Sequence, residues 1–442
     1  MLARTTAVAG ALVLTCCAPS APQPDSPRLT PGASSVPATP PPPPSPTTVE
    51  SPSTCTPLRL EPFTANALDH PAQPTPIVRG ARLEPFYRKV VELLRRRAHD
   101  HIRIAVYGDS NLIQDFQTAQ LRRRLQARFG DAGHGFVAVG IPFWRYEHQH
   151  VVHGSRGFQC FNLSTDPTPD RHYGLAGIVA DAGPGRAVAW AGTETGGPIG
   201  ERIDTADIYY RRREGLAFEV RIDGGEPRLI VGQEGPEKLG VARLELKDGP
   251  HRIEVRPHRG ALRLFGISLE RRSIEPSFIV DSFGVGAMNS RVQALKNRTL
   301  ETEMLRHRDY DLIVFHSGHN DGFTHEETPG AMAEIIEMHR NALPETPILI
   351  LTPADRGKKA TFFFTKIAVE QRRQISERHN TAMWDLFEAM GGNDSMARFH
   401  RAGLARKDYI HVTEAGGSWI GDHLLEALWA DLGRHLEEHP DI

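Results

Sequence analysis

The sequence predicts a mixed α/β protein with a parallel sheet, interrupted by a long all-β stretch. Short apolar strands alternate with amphipathic helices along residues 78–141 and 276–442, which is typical of a parallel sheet covered by helices. Two of these helices are predicted at 293–308 and 368–379. Between the two α/β stretches, residues 142–275 are rich in glycine and proline and contain short alternating strands without helices. Asp223-Gly224-Gly225 and Asp248-Gly249 predict hairpin turns between such strands. The predicted organisation is therefore an α/β domain, residues 78–141 and 276–442, that carries an inserted β-sandwich module at 142–275.

The first 77 residues predict an export signal and a linker. A basic start, an apolar run at 5–15 and the adjacent Cys16 and Cys17 indicate a secretory signal over residues 1–17. A cysteine at this point is similar to a bacterial lipoprotein processing site, so we expect a lipid-anchored protein of the cell envelope, with plain secretion as the alternative. Residues 18–77 are predicted to form a proline-rich disordered linker, and its stretch at 18–57 is expected to be extended over a length on the order of 100 Å.

Composition limits the classes of partner. Lysine and arginine number 52 against 54 aspartates and glutamates, a net charge of −2, so no nucleic-acid partner is expected. No internal run of apolar residues is long enough to span a bilayer, so membrane contact is expected only through a lipid anchor. Cys55 and Cys160 lie beyond the signal and could pair in an oxidising compartment.

A candidate nucleophile follows the first strand of the α/β part. Residues 102–107 predict a buried strand, and Gly-Asp-Ser110 separates it from an amphipathic helix. A serine at a strand-to-helix turn exposes its hydroxyl at the carboxyl edge of a sheet, where the helix N-terminus favours negative charge. A Gly-Asp-Ser sequence is common, so the case for Ser110 depends on partner residues further along the chain.

Two later stretches supply the groups that a serine nucleophile needs. Residues 311–321 (DLIVFHSGHND) predict a strand that delivers Asn320 to the same edge of the sheet. Residues 408–416 (DYIHVTEAG) place Asp408 three residues before His411, just ahead of a C-terminal helix. Serine, histidine and aspartate in contact form an acyl-transfer triad. No Gly-x-Ser-x-Gly occurs, so the usual α/β-hydrolase elbow is excluded.

These blocks, with FGVGAMNS at 283–290, resemble the SGNH (GDSL-type) hydrolases. The four marker residues of that family correspond to Ser110, Gly286, Asn320 and His411. The resemblance implies a flavodoxin-like three-layer α/β/α fold and ester hydrolysis with Ser110, Asp408 and His411 as catalytic residues. It also implies an oxyanion hole formed by Ser110, Gly286 and Asn320, with no cofactor and no metal. Asn111 stands where the family name implies leucine, and Gly284 is expected in a turn.

The sequence further resembles peptidoglycan O-acetylesterases that carry a carbohydrate-binding-like β-module inserted at this point. GDAGHG at 130–135, LFGISLE at 264–270 and WDLFEAMGG at 384–392 are similar to that subgroup. The resemblance implies a cell-envelope carbohydrate O-acetylesterase whose partner is an acetylated glycan, with O-acetylated peptidoglycan as the expected polymer. Two alternatives stay open: a glycan O-acetyltransferase with the same triad, and a non-catalytic glycan-binding lipoprotein.

Several other side chains have two interpretations. Tyr209 and Tyr210 could contact a glycan or lie in the core of the β-module, and the core is favoured. The phenylalanines at 362–364 could form a lid or an acyl-pocket wall, although core packing is favoured. Two groups of residues have a metal site as the less favoured alternative, because their spacing matches no zinc template. These groups are His316, His319 and His325, and Glu147, His148, His150 and His153.

Overall fold

The computed structural model describes residues 58, 60–65, 73–140, 146–232 and 239–439. The predicted signal at 1–17, most of the predicted linker at 18–77, and Cys55 lie outside these residues. Cys160 is a free, half-buried thiol in the described part of the chain, so its pairing with Cys55 stays a prediction. None of the described helices is both long and apolar enough to cross a membrane.

The secondary structure matches the two sequence patterns, strands that alternate with helices and a long stretch of strands without helices. In chain order the strands are β1 (Ile102–Gly108), β2 (Gly133–Val137), β3 (Val151–Arg156), β4 (Gln159–Asn162), β5 (Ile178–Ala182), β6 (Val188–Thr193), β7 (Ile203–Arg211), β8 (Ala217–Ile222), β9 (Arg228–Val231), β10 (Leu239–Gly249), β11 (Arg252–Arg259), β12 (Leu262–Glu270), β13 (Phe278–Gly284), β14 (Leu312–Phe315), β15 (Ile348–Leu351) and β16 (Ala382–Trp384). The α-helices are α1 (Glu84–Leu94), α2 (Phe116–Phe129), α3 (Ser290–Gln293), α4 (Arg298–Arg308), α5 (Thr328–Ala342), α6 (Lys359–Arg378), α7 (Leu386–Ala389), α8 (Ser395–Arg401) and α9 (Glu414–Glu438).

A parallel sheet of β13, β1, β14, β15 and β16, in that order, forms the centre of the α/β part. Strand β1 lies between β13 and β14, with Gly108 opposite Gly284 and Tyr107 opposite Phe315. The carboxyl ends of these strands therefore meet at one edge, where parallel sheets carry their binding sites. This sheet confirms the mixed α/β class predicted from the alternation of strands and helices.

Helices cover both faces of this sheet, because neighbouring residues of β1 point into different hydrophobic clusters. Ile104 belongs to the same hydrophobic cluster as Val90 of α1 and Leu425 of α9. Tyr107 belongs to a second cluster, on the other side, that includes Leu305 of α4 and the apolar face of α5. Successive side chains of a strand point to opposite faces, and both faces of this sheet are covered by helices. Strand β1 therefore needs apolar residues at nearly every position.

The strands between α2 and β13 form two antiparallel sheets. One has the order β10-β7-β12-β5-β4, with β2 also paired to β12, and the other has the order β3-β6-β11-β8-β9. Ile208 and Ile267 of the first sheet share a hydrophobic cluster with Phe218 and Val255 of the second, so the two sheets pack on each other. Because β2 ends at Val137, the first sheet also includes residues that precede position 142.

Three predictions for this region differ in outcome. Asp223 and Gly224 have φ angles of 53° and 72° and join β8 to β9 in a hairpin, as predicted. The hairpin predicted at 248–249 is wrong, because β10 and β11 belong to different sheets. Tyr209 and Tyr210 are 0% and 2% exposed, so they lie in the core and the glycan-contact interpretation is wrong.

Two helices of the α/β part also differ from their predicted bounds. The helix predicted for residues 293–308 begins only at Arg298, as α4, because the side chain of Asn297 accepts a hydrogen bond from the Leu300 N–H and caps the helix there, whereas residue 293 is the last residue of α3. Helix α6 begins at Lys359, before the predicted start at residue 368, and it includes the phenylalanines at 362–364.

Candidate active site

Turns at the carboxyl edge of the parallel sheet carry Ser110, Gly286 and Asn320. Ser110 and Gly286 each lie two residues beyond the end of their strand, and Asn320 lies five residues beyond β14. A methyl group added to Gly284 would lie 2.5 Å from the carbonyl carbon of Leu112, so the nucleophile turn crosses directly over the end of β13. Gly284 thus closes a strand and permits this close approach, and the turn predicted for it is wrong.

The nucleophile turn is separated from the helix that comes after it. Helix α2 begins at Phe116, six residues after Ser110, and not at the serine itself. Asp115 precedes the helix, is fully buried, and pairs with Arg122 Nη1 at 3.1 Å. The prediction that a helix N-terminus favours negative charge at Ser110 is therefore wrong, and stabilisation there must come from other donors.

Ser110, His411 and Asp408 form a continuous chain of two hydrogen bonds. His411 Nε2 lies 2.9 Å from Ser110 Oγ, and His411 Nδ1 lies 2.8 Å from Asp408 Oδ2. The other carboxylate oxygen of Asp408 accepts the backbone N–H groups of Ile410 and His411 at 2.9 and 3.0 Å. A carboxylate can only accept, so Nδ1 carries a proton and Nε2 of the neutral ring is left to accept the serine hydroxyl.

Asp408 is held in its charged form by these contacts. Partial burial acts to raise its pKa, but the hydrogen bonds from His411 and Ile410 outweigh burial, and the pKa lies below its ordinary value. The side chains of His411 and Asp408 remain 34% and 38% exposed. The imidazole is thus oriented by an anion and still open to a molecule from solvent.

Asn111 connects the nucleophile turn to the loop of His411. Its side-chain oxygen accepts the Val412 N–H at 3.1 Å, and its amide nitrogen donates to the Ile410 carbonyl at 3.3 Å. These are the two chain neighbours of His411, and Asn111 is only 5% exposed. The residue after the nucleophile therefore fixes the backbone on both sides of the histidine.

Asp109 fixes the backbone of the Asn320 loop in a similar way. Its buried carboxylate accepts the Asn111 N–H at 3.1 Å and the N–H groups of Gly318 and His319 at 3.2 Å each. Burial acts to raise the pKa of Asp109, but the adjacent His319 and the backbone N–H of Asn111 outweigh it, and the pKa lies well below its usual range. Asp109 is thus a fixed anion beneath the nucleophile turn.

Two backbone donors near Ser110 have no acceptor. No hydrogen bond among the described residues uses the N–H of Ser110 or the N–H of Gly286. Gly286 begins a tight turn in which Met288 N donates to Val285 O at 3.3 Å. Unpaired N–H groups at a site edge are available to bind an anionic oxygen.

Asn320 is attached to the same turn. Its amide nitrogen donates to the Met288 carbonyl at 2.9 Å, and its side-chain oxygen accepts from Arg356 Nη2 at 3.3 Å. The Asn320 amide nitrogen carries a second N–H, which remains available. The structure thus brings the three predicted oxyanion donors to neighbouring turns.

A buried ion pair lies beneath the Gly286 and Asn320 turns. Asp321 accepts the backbone N–H and the hydroxyl of Ser290 at 2.7 and 2.9 Å, and it also pairs with Arg372. The side chains of Arg372 and Asp321 are 0% and 1% exposed. This pair joins the start of α3, the Asn320 turn and α6, so it holds the oxyanion side of the site to the protein interior.

Sequence reasoning missed the supporting residues of the site. Asn111 was visible only as a departure from leucine, and its contacts across 301 residues of chain have no local signal. Arg356 follows the end of β15, so its position at the active edge was the signal that could have indicated it. Arg372 lies in a helix with two other arginines, Arg373 and Arg378, and nothing in the sequence distinguishes its environment from theirs.

The alternative metal ligands do not come together. His319 Nδ1 lies 3.5 Å from Asp109 Oδ2, whereas His325 Nδ1 lies 3.2 Å from the Gly322 carbonyl. Burial lowers the pKa of His148, in the second group, to about 3. Across the described ranges, no group of three or more histidine, cysteine, aspartate or glutamate side chains is placed to hold a metal ion.

An exposed aromatic cluster borders the site. Phe323 and Phe363 are 50% and 66% exposed, and the ring of Phe364 lies 4.9 Å from that of Phe323. Arg356 connects this cluster to Asn320, because its guanidinium carbon lies 5.3 Å from the centre of the Phe323 ring. Core packing, the favoured interpretation of residues 362–364, is therefore wrong for Phe363.

Comparison with known proteins shows which fold this site belongs to. No family model and no curated protein matches the chain. Among solved structures, a peptidoglycan O-acetylesterase is 20% identical with a TM-score of 0.68, and the match covers 81% of this chain and 99% of that protein. The chain therefore has the fold of this esterase, and the resemblance to SGNH hydrolases is confirmed at the level of the fold.

Other solved structures are similar only at low scores. A family two carbohydrate esterase from Cellvibrio japonicus is 10% identical with a TM-score of 0.26, covering 64% of this chain and 98% of that one. A salicylyl-acyltransferase from a tetracycline biosynthetic pathway is 14% identical with a TM-score of 0.28, covering 69% and 98%. These two matches add no argument about this chain.

Proposed function

We propose that this protein is a carboxylic ester hydrolase of the SGNH type that removes acetyl groups from a glycan through an acetyl-Ser110 intermediate. One observation carries the proposal. His411 Nε2 lies 2.9 Å from Ser110 Oγ, and the opposite ring nitrogen lies 2.8 Å from Asp408, while the N–H groups of Ser110 and Gly286 have no acceptor among the described residues. A hydroxyl bonded to an imidazole that is itself oriented by a carboxylate is the arrangement that nucleophilic acyl transfer requires.

In the first half of the reaction, Ser110 Oγ forms a bond to the acetyl carbonyl carbon while its proton moves to His411 Nε2. The π electrons of the carbonyl move to its oxygen, which becomes the oxyanion. When this intermediate collapses, the bond between carbon and the sugar oxygen breaks, and His411 gives its proton to that oxygen. The sugar hydroxyl leaves, and Asp408 stabilises the imidazolium throughout without itself taking the proton.

In the second half, water replaces the sugar. Water attacks the carbonyl carbon of acetyl-Ser110, and His411 Nε2 takes the water proton. The collapse of this second intermediate breaks the bond to Oγ, and the proton on His411 returns to the serine. In both halves the oxyanion would accept hydrogen bonds from the N–H of Ser110, the N–H of Gly286 and the amide of Asn320. One such donor is typically worth about 3 kcal/mol.

A glycan is the substrate class that the surroundings favour. The shared fold with a peptidoglycan O-acetylesterase supports an O-acetylated peptidoglycan. The half-exposed rings of Phe323 and Phe363 supply flat apolar faces beside Asn320, and such faces pack well against the C–H groups of sugar rings. We propose that the two antiparallel sheets form an inserted β-sandwich that helps to hold the polymer.

The proposed location agrees with such a substrate. The sequence expectation of a secretory signal with a cysteine at its end would place the enzyme in the cell envelope as a lipid-anchored protein, or outside the cell if the anchor is lacking. A proline-rich linker would then let the catalytic part reach a polymer at some distance from the membrane.

Acetate release from 4-nitrophenyl acetate and from O-acetylated peptidoglycan tests the proposal. We expect Ser110→Ala to lower kcat at least 1,000-fold on both substrates, because it removes the nucleophile of a unit that acts together. Ser164→Ala removes another partly exposed hydroxyl and is the matched control, with activity expected to stay unchanged. Wild-type turnover that survives Ser110→Ala would reject the serine mechanism.

The same assay separates the two functions that share this triad. We expect acetate to appear at the same rate with and without a non-acetylated glycan, since water is the proposed acceptor. Acetyl groups that appear on the added glycan at the expense of free acetate would identify a transferase. Glycan binding without turnover of any acetyl ester would identify a binding protein.

A further inference from the structure

Arg356 is the one described side chain that donates to the oxygen of Asn320. It follows strand β15, and its neighbour Gly357 donates its N–H to the Tyr409 carbonyl at 3.0 Å, which places Arg356 against the loop of His411. The residue is only 7% exposed. A buried cation thus lies between the Asn320 turn and the triad loop.

No carboxylate in the described part of the chain pairs directly with the charge of Arg356. Among the ion pairs of the described residues none includes Arg356, and its Nε has no hydrogen-bond acceptor. Burial lowers the pKa of Arg356, whereas the more distant Asp109 and Asp408 act to raise it. A cation that is buried without a paired carboxylate is unfavourable for folding, so its contact with Asn320 points to a role in the site instead of in stability.

The contact with Asn320 fixes the orientation of the amide. Arginine has only donors, so the atom that lies 3.3 Å from Nη2 must be the carbonyl oxygen of Asn320. The Met288 carbonyl has only an acceptor and lies 2.9 Å from the amide nitrogen, which sets the same orientation independently. With both ends held, the second N–H of the amide keeps one direction.

We infer that Arg356 is a positioning residue for the oxyanion hole, which orients and polarises the side-chain amide of Asn320. This inference rests on the proposed esterase function. A cation at the carbonyl oxygen draws electron density from the amide nitrogen, and the remaining N–H becomes a stronger donor. Because the site is held before substrate arrives, the effect appears when negative charge develops on the carbonyl oxygen.

A double-mutant cycle tests this role with 4-nitrophenyl acetate, a neutral ester that offers no anionic group to an arginine. We expect Arg356→Met, which removes the charge and the donors but keeps a similar length, to lower kcat tenfold or more with little change in KM. Arg356→Lys keeps the charge and should retain an intermediate kcat. In the Asn320→Ala background, Arg356→Met should lower kcat less than threefold, because the group through which it acts is gone.

Arg406→Met is the matched control, since Arg406 lies near the His411 loop and contacts Gln114 instead of Asn320. An equal loss of kcat in both backgrounds, a change confined to KM, or no loss at all would overturn the inference. If Arg356→Met does not fold, the cycle with Arg356→Lys is interpreted in the same way. A wild-type protein that releases no acetate would refute the esterase proposal itself, an outcome distinct from wild-type turnover that Arg356→Met leaves intact.

Discussion

The two sides of the candidate site are built differently. On the proton-transfer side, the side chains of His411 and Asp408 are 34% and 38% exposed and lie on a loop. On the oxyanion side, the turns rest on Asp321 and Arg372, whose side chains are 1% and 0% exposed. Groups that must meet a substrate stay open to solvent, while the donors that must not move are attached to buried charge. Substitutions on the exposed proton-transfer side should therefore lower activity with little loss of stability, whereas substitutions of the buried pair should lower stability.

The largest effect is expected for Asp321→Ala, on stability. The substitution leaves Arg372 as an uncompensated buried cation and removes the acceptor of Ser290, and breaking such a pair typically costs about 3–5 kcal/mol. Denaturant unfolding measures it. His411→Ala is the comparison on the open side, and we expect it to change the unfolding free energy by less than about 1 kcal/mol. Equal losses from both variants would remove the distinction between the two sides.

Asn320→Ala should have the next largest effect, on turnover. Loss of one oxyanion donor typically lowers kcat about 100- to 1,000-fold, and KM should change little because the donor acts mainly when charge develops. Steady-state kinetics with an acetyl ester measures it. Asn297→Ala is the matched control: it removes the cap of α4, which contacts neither the triad nor the Asn320 turn, and should cost about 1 kcal/mol of stability with kcat unchanged. A comparable loss of kcat in Asn297→Ala would indicate that stability and not the donor is responsible.

Asn111→Leu should have a smaller effect, which combines a loss of stability with a loss of turnover. The variant removes the contacts with Ile410 and Val412, each worth about 1 kcal/mol, and releases the backbone around His411. We expect kcat to fall about tenfold in the acetyl-ester assay, because the imidazole loses its fixed distance to Ser110. Asn111→Asp keeps an acceptor for the Val412 N–H and should lose less. An unchanged kcat in Asn111→Leu would show that the loop is held by other contacts.

The sequence predicted which residues come together at the site better than it predicted the residues that support them. Ser110, Asn320 and the Asp408–His411 pair follow strand ends or precede a helix, and these are patterns that local periodicity displays. Asn111, Arg356 and the Asp321–Arg372 pair act across long stretches of chain, so only the folded structure shows what they contact. The fold class followed from the alternation of strands and helices, because that alternation dictates parallel pairing.

Two sequence predictions were wrong because composition does not show which contacts a residue or strand makes in the folded protein. The turn at 248–249 has hairpin composition, but the neighbouring strands join different sheets, and composition carries no information about which sheet a strand enters. Phe363 was expected in the core because it is apolar, yet it is 66% exposed beside the site. An exposed phenylalanine beside a site is informative, because folding buries little of its apolar surface and leaves the ring available to a ligand.

Asp109 gives the smallest expected effect, seen in the pH dependence of stability. Its pKa in the folded protein lies below the value of about 3.9 for an unfolded aspartate, so the unfolded chain binds more protons in acid. The stability that Asp109 contributes is complete above about pH 5 and is lost as the pH falls towards the folded-state pKa, amounting to about 1 kcal/mol between pH 5 and pH 3. Asp109→Asn should lose correspondingly less over that interval, as measured by denaturant unfolding at each pH. Identical pH slopes for the two proteins would show that the carboxylate beneath the nucleophile turn is not held as an anion.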